Sequence, residues 1–226
     1  MQQSIDRIWE EIHRTRKWGA YPPEHVIRFA ARNFYGAADR SGVKILDFGC
    51  GQGANTWYLA REGFDVYAFD GSESAVEKAE AQLSSQGLNA HFRIADGIDT
   101  GYENDFFDAV IDNVCIYSNT MKNIKIMYSS ILNMLKPGGK LLTVVFGEDL
   151  FGYGTGKLIE PGTYTDIKEG SLADRGTVHI FKEGELPALL EDLGFINISC
   201  DWCRYTDRGN MVHQYICTAE KKGGKL

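Results

Sequence analysis

The clearest chemical pattern lies in residues 43–72, VKILDFGCGQGANTWYLAREGFDVYAFDGS. An apolar run leads into Gly49, Gly51 and Gly53, and a second apolar run ends in the acid Asp70. Such glycines let a ligand approach backbone N–H groups at a helix N-terminus, and an acid ending the second strand binds ribose hydroxyls. The pattern therefore predicts a nucleoside-binding strand–helix–strand unit.

Asp47, two residues before the first glycine, bears on the choice between two cofactors. NAD would hold its pyrophosphate against the glycine turn, and a carboxylate at Asp47 would oppose that negative charge. S-adenosylmethionine has no phosphate and carries a positive sulfonium, which a nearby acid stabilises. We therefore expect S-adenosylmethionine. NAD is the alternative, because Gly49-x-Gly51-x-x-Ala54 is also an allowed dinucleotide fingerprint.

Several stretches, in order along the chain, resemble motifs of the class I S-adenosylmethionine-dependent methyltransferases. They are ILDFGCGQG, RIADG, FDAVIDNVCIYSN, MLKPGGKLLTVVF and LPALLEDLGF, the last followed by a hairpin. The resemblance covers residues 43–218. It implies a Rossmann-like, doubly wound sheet of seven strands, parallel except for one antiparallel strand in a C-terminal hairpin. It also implies S-adenosylmethionine as methyl donor and a small-molecule acceptor.

The resemblance implies a set of cofactor-binding residues: Asp47, Gly49, Gly51, Gly53, Asp70, Gly71, Ser72, Asp96, Gly97, Ile98, Asp112, Asn113 and Trp18. Within this set Asp70 would take the ribose hydroxyls, and Asp96 would accept from the adenine amino group. Asp112 and Asn113 would contact the methionine part or the acceptor, or would form a structural turn.

The N-terminal residues 1–38 predict two helices broken by RKWGAYPPE. The resemblance suggests that they form a lid over the cofactor. An aromatic face at Trp18 or Tyr21 would attract a cationic sulfonium. Alternatively, both rings only pin the helices to the sheet.

Methyl transfer is an in-line displacement, so the protein mainly aligns the acceptor and excludes water. An oxygen acceptor would also benefit from a general base, usually a histidine. His179 is the first candidate and Tyr21 the second catalytic candidate, with His13 and His25 behind them. Cys200-x-x-Cys203 lacks a second ligand pair, so we expect no metal site.

Strand and helix patterns alternate along the chain, which predicts a single domain over 1–226 with a mostly parallel sheet. Its parts are the lid 1–38, the cofactor-binding core 43–146, an acceptor-side loop insertion 147–180, and a final helix and hairpin 181–220. We expect the fourth helix to start with a capping box at Ser74–Glu77, Lys136–Gly139 to form a turn, and the last helix to span Phe181–Leu193. Residues 147–176 show no period and predict a long loop.

The composition restricts the partners. A net charge of −7 and a pI near 5.3 disfavour nucleic acid. The five cysteines predict free thiols, and no apolar run approaches a membrane span, so we expect a cytoplasmic protein. A homodimer is a further expectation. The predicted activity is methyl transfer to an oxygen or nitrogen of a small molecule, with a sugar or glycan precursor as one acceptor. The alternatives are a non-catalytic S-adenosylmethionine-binding regulatory domain and an NAD-dependent oxidoreductase.

Overall fold

The computed structural model describes residues 5–224. Within that range ten strands follow one another: β1 (Lys44–Phe48), β2 (Asp65–Asp70), β3 (His91–Ile94), β4 (Phe107–Asn113), β5 (Leu135–Phe146), β6 (Lys157–Glu160), β7 (Thr163–Thr165), β8 (Val178–His179), β9 (Phe195–Asp207) and β10 (Asn210–Lys221). The same residues form six α-helices: α1 (Ile8–Thr15), α2 (Glu24–Phe34), α3 (Ala54–Arg61), α4 (Glu73–Ser84), α5 (Met121–Met134) and α6 (Glu185–Leu193). None of these helices combines the length and apolar character needed to cross a bilayer. Residues 1–4, which begin the predicted lid, and residues 225–226 lie outside the described part of the chain.

The main sheet has seven strands in the order β3-β2-β1-β4-β5-β10-β9. Strands β1 to β5 pair in parallel, and β10 pairs antiparallel with both β5 and β9. The strand order reverses between β1 and β4, and sheets of this kind bind ligands outside the carboxyl ends of the strands at that point. The predicted doubly wound sheet with one antiparallel strand is confirmed.

Helices cover both faces of the sheet, which explains why its strands are nearly continuous apolar runs. On one face α5 and α6 bury Ile124, Ile131 and Leu190. On the other face α2 and α3 bury Phe29 and Leu59. The core therefore consists of two apolar layers, one on each face of the sheet. The helices leave the ends of the parallel strands open, where a site can form.

Residues 147–176 are more ordered than predicted. Together with residues 177–179 they contain β6, β7 and β8, which form a second, three-stranded sheet. Leu150, Ile167 and Leu172 of this segment are buried in the main core, and the His179 N–H donates to the Tyr117 carbonyl at 2.7 Å. Strands of two to four residues separated by glycines leave no detectable period, so the sequence predicted a loop where a small sheet forms.

The start of α4 differs from the predicted capping box. Ser72 is the N-cap, and its side chain accepts from the Ala75 N–H at 3.1 Å. Ser74 is already inside the helix, and its hydroxyl donates to Glu10 of α1. The capping side chain was thus assigned two residues too late, because both positions are serines.

Two other predicted boundaries are wrong. Lys136–Gly139 lies inside β5, whose first residue Leu135 pairs with Phe107 before a register shift. The last helix begins at Glu185 and not at Phe181, which instead bridges to Gly147 beside the main sheet.

The cysteines correct a further expectation. Cys200 of β9 lies directly opposite Cys217 of β10, and the two form a disulfide, while Cys50, Cys115 and Cys203 are free. Sequence spacing does not reveal cross-strand register, so this pairing was missed. Disulfides are rare in reducing compartments, and the free-thiol argument for a cytoplasmic location loses this support.

Candidate cofactor and acceptor site

A cavity of about 480 Å³ opens at the carboxyl ends of β1, β2 and β4. This volume lies in the range of small-molecule sites, roughly 300–1,000 Å³. Nine of the predicted residues line it: Gly49, Gly51, Asp70, Gly71, Gly97, Asn113, Trp18, Tyr21 and His13. The cavity occupies the point where the strand order reverses, as expected for this topology.

Asp70 ends β2 and faces this cavity with 9% of its surface exposed. One carboxylate oxygen accepts from the Gly51 N–H at 2.9 Å, and the other accepts from the Ser72 N–H at 2.9 Å. Burial raises the pKa of Asp70, while the backbone donors and the nearby His13 act in the opposite direction. A carboxylate has about four acceptor sites, so lone pairs remain for the two hydroxyls of a ribose.

The glycine turn is shaped by close packing as well as by ligand access. Gly49 has φ +70°, and a Cβ there would collide with the Cys115 side chain. Gly53 has φ +86°, and a Cβ there would lie 2.8 Å from the Ala79 Cβ of α4. Gly53 does not line the cavity, and the absence of a side chain there lets α3 approach α4.

Asp47 and Asp112 were predicted to bind cofactor, but both are fully buried outside the cavity lining. Asp47 accepts from the Thr56 N–H at 3.0 Å and the Thr56 hydroxyl at 2.6 Å. Asp112 accepts from the Cys115 N–H at 3.0 Å and the Thr143 hydroxyl at 2.6 Å. Burial raises the pKa of each carboxyl to about 6. The two acids hold the loops that form the cavity and are not exposed to it.

Three other predicted contacts lie at the cavity's edge or behind its wall. Ser72 is fully buried as the cap of α4, and Ile98 donates its N–H to the Asp96 carboxylate at 3.1 Å. Asp96, Ile98 and Ser72 are not among the lining residues, whereas Gly97 is. A Cβ on Gly97 would lie 3.0 Å from the Met127 side chain, so glycine keeps this part of the cavity open.

Helix α1 closes one side of the cavity. The Glu10 carboxylate accepts from the Ser72 hydroxyl at 2.6 Å and from the Ser74 hydroxyl, which ties α1 to the N-terminus of α4. These hydrogen bonds lower the pKa of Glu10. His13 is buried beside Asp70, and burial lowers the pKa of its imidazole. The sequence did not indicate Glu10, because an acid on a helix surface is usually solvated.

The aromatic wall of the cavity, formed by Trp9 of α1, Trp18 and Arg175, adjoins this helix. Trp9 and Trp18 line the cavity, and the Arg175 guanidinium lies over both rings. The Trp9 indole N–H donates to the Ser118 hydroxyl at 2.8 Å, which fixes the ring against the segment after β4. Arg175 lies in an irregular stretch between β7 and β8, so no periodic signal pointed to it.

His179, the first candidate for a general base, is misplaced for that role. It is 0% exposed and does not line the cavity. Its Nδ1 is hydrogen-bonded to the Thr163 hydroxyl at 2.8 Å and its Nε2 to the Glu185 carboxylate at 3.1 Å. With both nitrogens engaged inside the protein, His179 joins β7, β8 and α6 and is a structural residue.

The remaining candidates lie nearer the cavity. Tyr21 is 76% exposed at its rim and packs edge-to-face on Trp57, with ring centroids 5.4 Å apart. Asn113 lines the cavity, and its side-chain oxygen is 2.9 Å from the Nε2 of His25. In residues 5–224 no three metal-ligating side chains cluster as a metal site would require. Among residues 5–224 the cavity lining contains one histidine, His13, together with polar groups that can orient a ligand.

A glycine turn after β1, an acid ending β2 and one cavity at the strand-order reversal define a nucleoside-binding α/β protein. A family model described as a methyltransferase domain matches residues 39–205. The chain therefore belongs to the class I S-adenosylmethionine-dependent methyltransferase family.

Individual comparisons agree with this family. A solved structure of a SAM-dependent methyltransferase from Methanosarcina mazei is 28% identical, with a TM-score of 0.69 over 80% of this chain and 93% of that one. The Burkholderia thailandensis 1,6-didemethyltoxoflavin-N1-methyltransferase, crystallised with S-adenosylhomocysteine, has a TM-score of 0.65 at 22% identity over 88% of this chain and 77% of that one.

Among curated sequences, a Mycobacteroides abscessus 2-heptyl-1-hydroxyquinolin-4(1H)-one methyltransferase is 30% identical over 47% of this chain and 48% of the relative. The chain thus spans about half the length of the first curated relatives it matches. S-adenosylmethionine is the cofactor of the family, and the Asp70 carboxylate is placed to accept hydrogen bonds from the ribose hydroxyls of such a cofactor.

Proposed function

We propose that this protein transfers a methyl group from S-adenosylmethionine to an oxygen or nitrogen atom of a small-molecule acceptor. The observation that carries the proposal is the Asp70 carboxylate, held by two backbone N–H groups at the cavity where a ribose diol would reach it. Bound S-adenosylmethionine supplies an electrophilic methyl group on a sulfonium centre.

The chain's own residues would bind and orient the cofactor. Asp70 accepts from the ribose hydroxyls, and Gly49 and Gly51 offer close approach to the methionine part. Gly97 borders the apolar region beside Phe48 and Met127, which suits an adenine ring. Asp96 remains the proposed partner of the adenine amino group, by family resemblance alone.

The acceptor would be positioned by the aromatic wall of the cavity and not activated by a dedicated base. His179 is fully buried and does not line the cavity, and His13 lies beside Asp70 at the expected ribose end of the cavity. Alignment of a nucleophile with an activated carbon and exclusion of water supply large rate effects without proton transfer. Helix α1 and Trp18, which close the cavity, are proposed to exclude water when cofactor is bound.

Two relatives carry names of methyltransferases for fused nitrogen heterocycles, a hydroxyquinolone and a toxoflavin precursor. The apolar and aromatic lining here suits a planar acceptor of similar kind. A sugar or glycan-precursor acceptor rests on sequence resemblance only. A non-catalytic binding domain is the second function to test, because the cofactor half of the site is better defined than the acceptor half.

The test is calorimetric titration with S-adenosylhomocysteine and, separately, with NAD, followed by transfer of labelled methyl groups to an acceptor panel. The panel contains hydroxyquinolones, catechols and nucleotide sugars. Binding of S-adenosylhomocysteine and labelling of an acceptor support the proposal. Binding of NAD alone would refute it, and binding of S-adenosylhomocysteine with no labelled product from any class would favour the regulatory alternative.

A further inference from the structure

Arg175 is a half-buried cation without a charged partner in the described chain. Its guanidinium carbon lies 4.6 Å from the ring centroid of Trp18 and 5.4 Å from that of Trp9. No residue in 5–224 forms an ion pair or a side-chain hydrogen bond with it. Every one of its five N–H donors is therefore available to a ligand.

The surroundings of this cation make an anion the fitting ligand. Burial lowers the pKa of Arg175, and the positive charge of the nearby Arg16 acts in the same direction. The nearby Tyr117 acts in the opposite direction. Stacking on two indoles holds the planar guanidinium in place, so little side-chain freedom is lost when it binds a carboxylate or phosphate.

Arg175 lies between the expected ribose end of the cavity and the segment that follows β4. Its charge acts on His13, which lies beside Asp70, and it also lies near Tyr117. Through Trp9 it lies beside Ser118, after β4, so an anionic group of an acceptor bound there can reach it while Asp70 stays with the ribose. This part of the wall is completed by apolar side chains, Leu172 and Phe146 among them.

We propose that Arg175, framed by Trp9 and Trp18, is an anion-binding subsite that selects acceptors with a flat apolar body and a carboxylate or phosphate group. The proposal rests on the proposed methyltransferase function and adds the charge of its acceptor. The other source of a carboxylate is the methionine end of the cofactor itself, and the experiment separates the two.

The probes are benzoate, phenyl phosphate and neutral benzamide, each titrated at constant ionic strength into protein saturated with S-adenosylhomocysteine. Binding is followed by saturation-transfer NMR and by the fluorescence of the two indoles. The variants are Arg175→Gln and, as a matched control, Arg32→Gln, which changes an exposed arginine of α2 outside the cavity. Thermal unfolding checks that both variants fold.

We expect at least one anionic probe to bind wild type and Arg32→Gln, and benzamide to bind roughly tenfold more weakly or not at all. Arg175→Gln should lose the anion binding roughly tenfold or more and keep the affinity for S-adenosylhomocysteine. A tenfold loss of S-adenosylhomocysteine affinity in Arg175→Gln would assign the arginine to the cofactor and overturn the proposal. Equal binding of benzoate and benzamide, or no anion binding to wild type, would also overturn it. If wild type does not bind S-adenosylhomocysteine at all, the result refutes the proposed methyltransferase function, on which the anion subsite rests.

Discussion

The Asp70 carboxylate accepts a hydrogen bond from the Gly51 N–H at 2.9 Å, which joins the end of β2 directly to the glycine turn after β1. The two sequence features that first indicated a nucleoside site, nineteen positions apart, are thus one structural unit. Because the same carboxylate also accepts from Ser72, it orders both loops before any ligand binds.

Asp70→Asn should weaken binding of S-adenosylhomocysteine about tenfold or more, since a hydrogen bond to a charged acceptor contributes roughly 1.5–3 kcal/mol. Calorimetric titration measures the change. The matched control is Asp65→Asn at the opposite end of β2, where the carboxylate is hydrogen-bonded to His91 and does not line the cavity. Unchanged affinity in Asp70→Asn would remove the ribose assignment.

Glu10→Gln should loosen α1 from α4, because the carboxylate that accepts from Ser72 and Ser74 loses its charge. We expect amide hydrogens in residues 8–15 to exchange faster in this variant than in wild type. We also expect S-adenosylhomocysteine to protect these amides less in the variant than in wild type. Glu11→Gln is the control, since the neighbouring Glu11 pairs with Arg14 on the exposed side of the same helix. Equal exchange in both variants would show that Glu10 does not hold the helix closed.

Asp112→Asn should change how stability depends on pH. The folded pKa of Asp112 is about 6 and its ordinary value is 3.8, so between these values the folded protein binds more protons than the unfolded chain. The Asp112 contribution to the free energy of unfolding therefore rises as pH falls through about 6.

Urea unfolding of wild type and Asp112→Asn tests this prediction, because the other titrating groups, Asp47 included, are present in both proteins and largely cancel. From about pH 7.5 to about pH 5.5, wild type should gain on the order of 1 kcal/mol relative to the variant. A constant difference across this range would mean that the folded Asp112 has an ordinary pKa.

His179→Ala should lower the free energy of unfolding by about 1–3 kcal/mol, since it leaves Thr163 and Glu185 without their buried partner. Affinity for S-adenosylhomocysteine should stay the same. His91→Ala, at a mostly exposed side chain, is the control and should change stability little. A variant of full stability that loses methyl transfer would restore His179 as a base.

Thiol titration should distinguish the cysteines. Protein denatured without reductant should expose the three free thiols of Cys50, Cys115 and Cys203, and prior reduction should add the two from the pair in β9 and β10. Five reactive thiols before reduction would mean that Cys200 and Cys217 are not bonded under those conditions.

The sequence by itself determined the parts of this protein that depend on local order. The glycine turn, the acid ending β2 and the alternation of apolar strands with helices are short-range patterns, and they correctly predicted the sheet and the family. They also placed Asp70 and Gly51 in the site, because adjacent parallel strands bring their carboxyl ends to one edge.

Only the tertiary structure decided which side chains face the cavity. Asp47 and Asp112 lie at or near the ends of strands, as Asp70 does. The side chains of Asp47 and Asp112 nevertheless point into the protein and hold a loop, and the position of a residue along a strand does not show which way its side chain points. Arg175, Glu10 and the Cys200–Cys217 pair meet their neighbours across long sequence separations. The Arg175 and Glu10 contacts depend on the packing of α1 and the small sheet against the main sheet. The Cys200–Cys217 pair depends on the register of β9 and β10, and no local pattern specifies either.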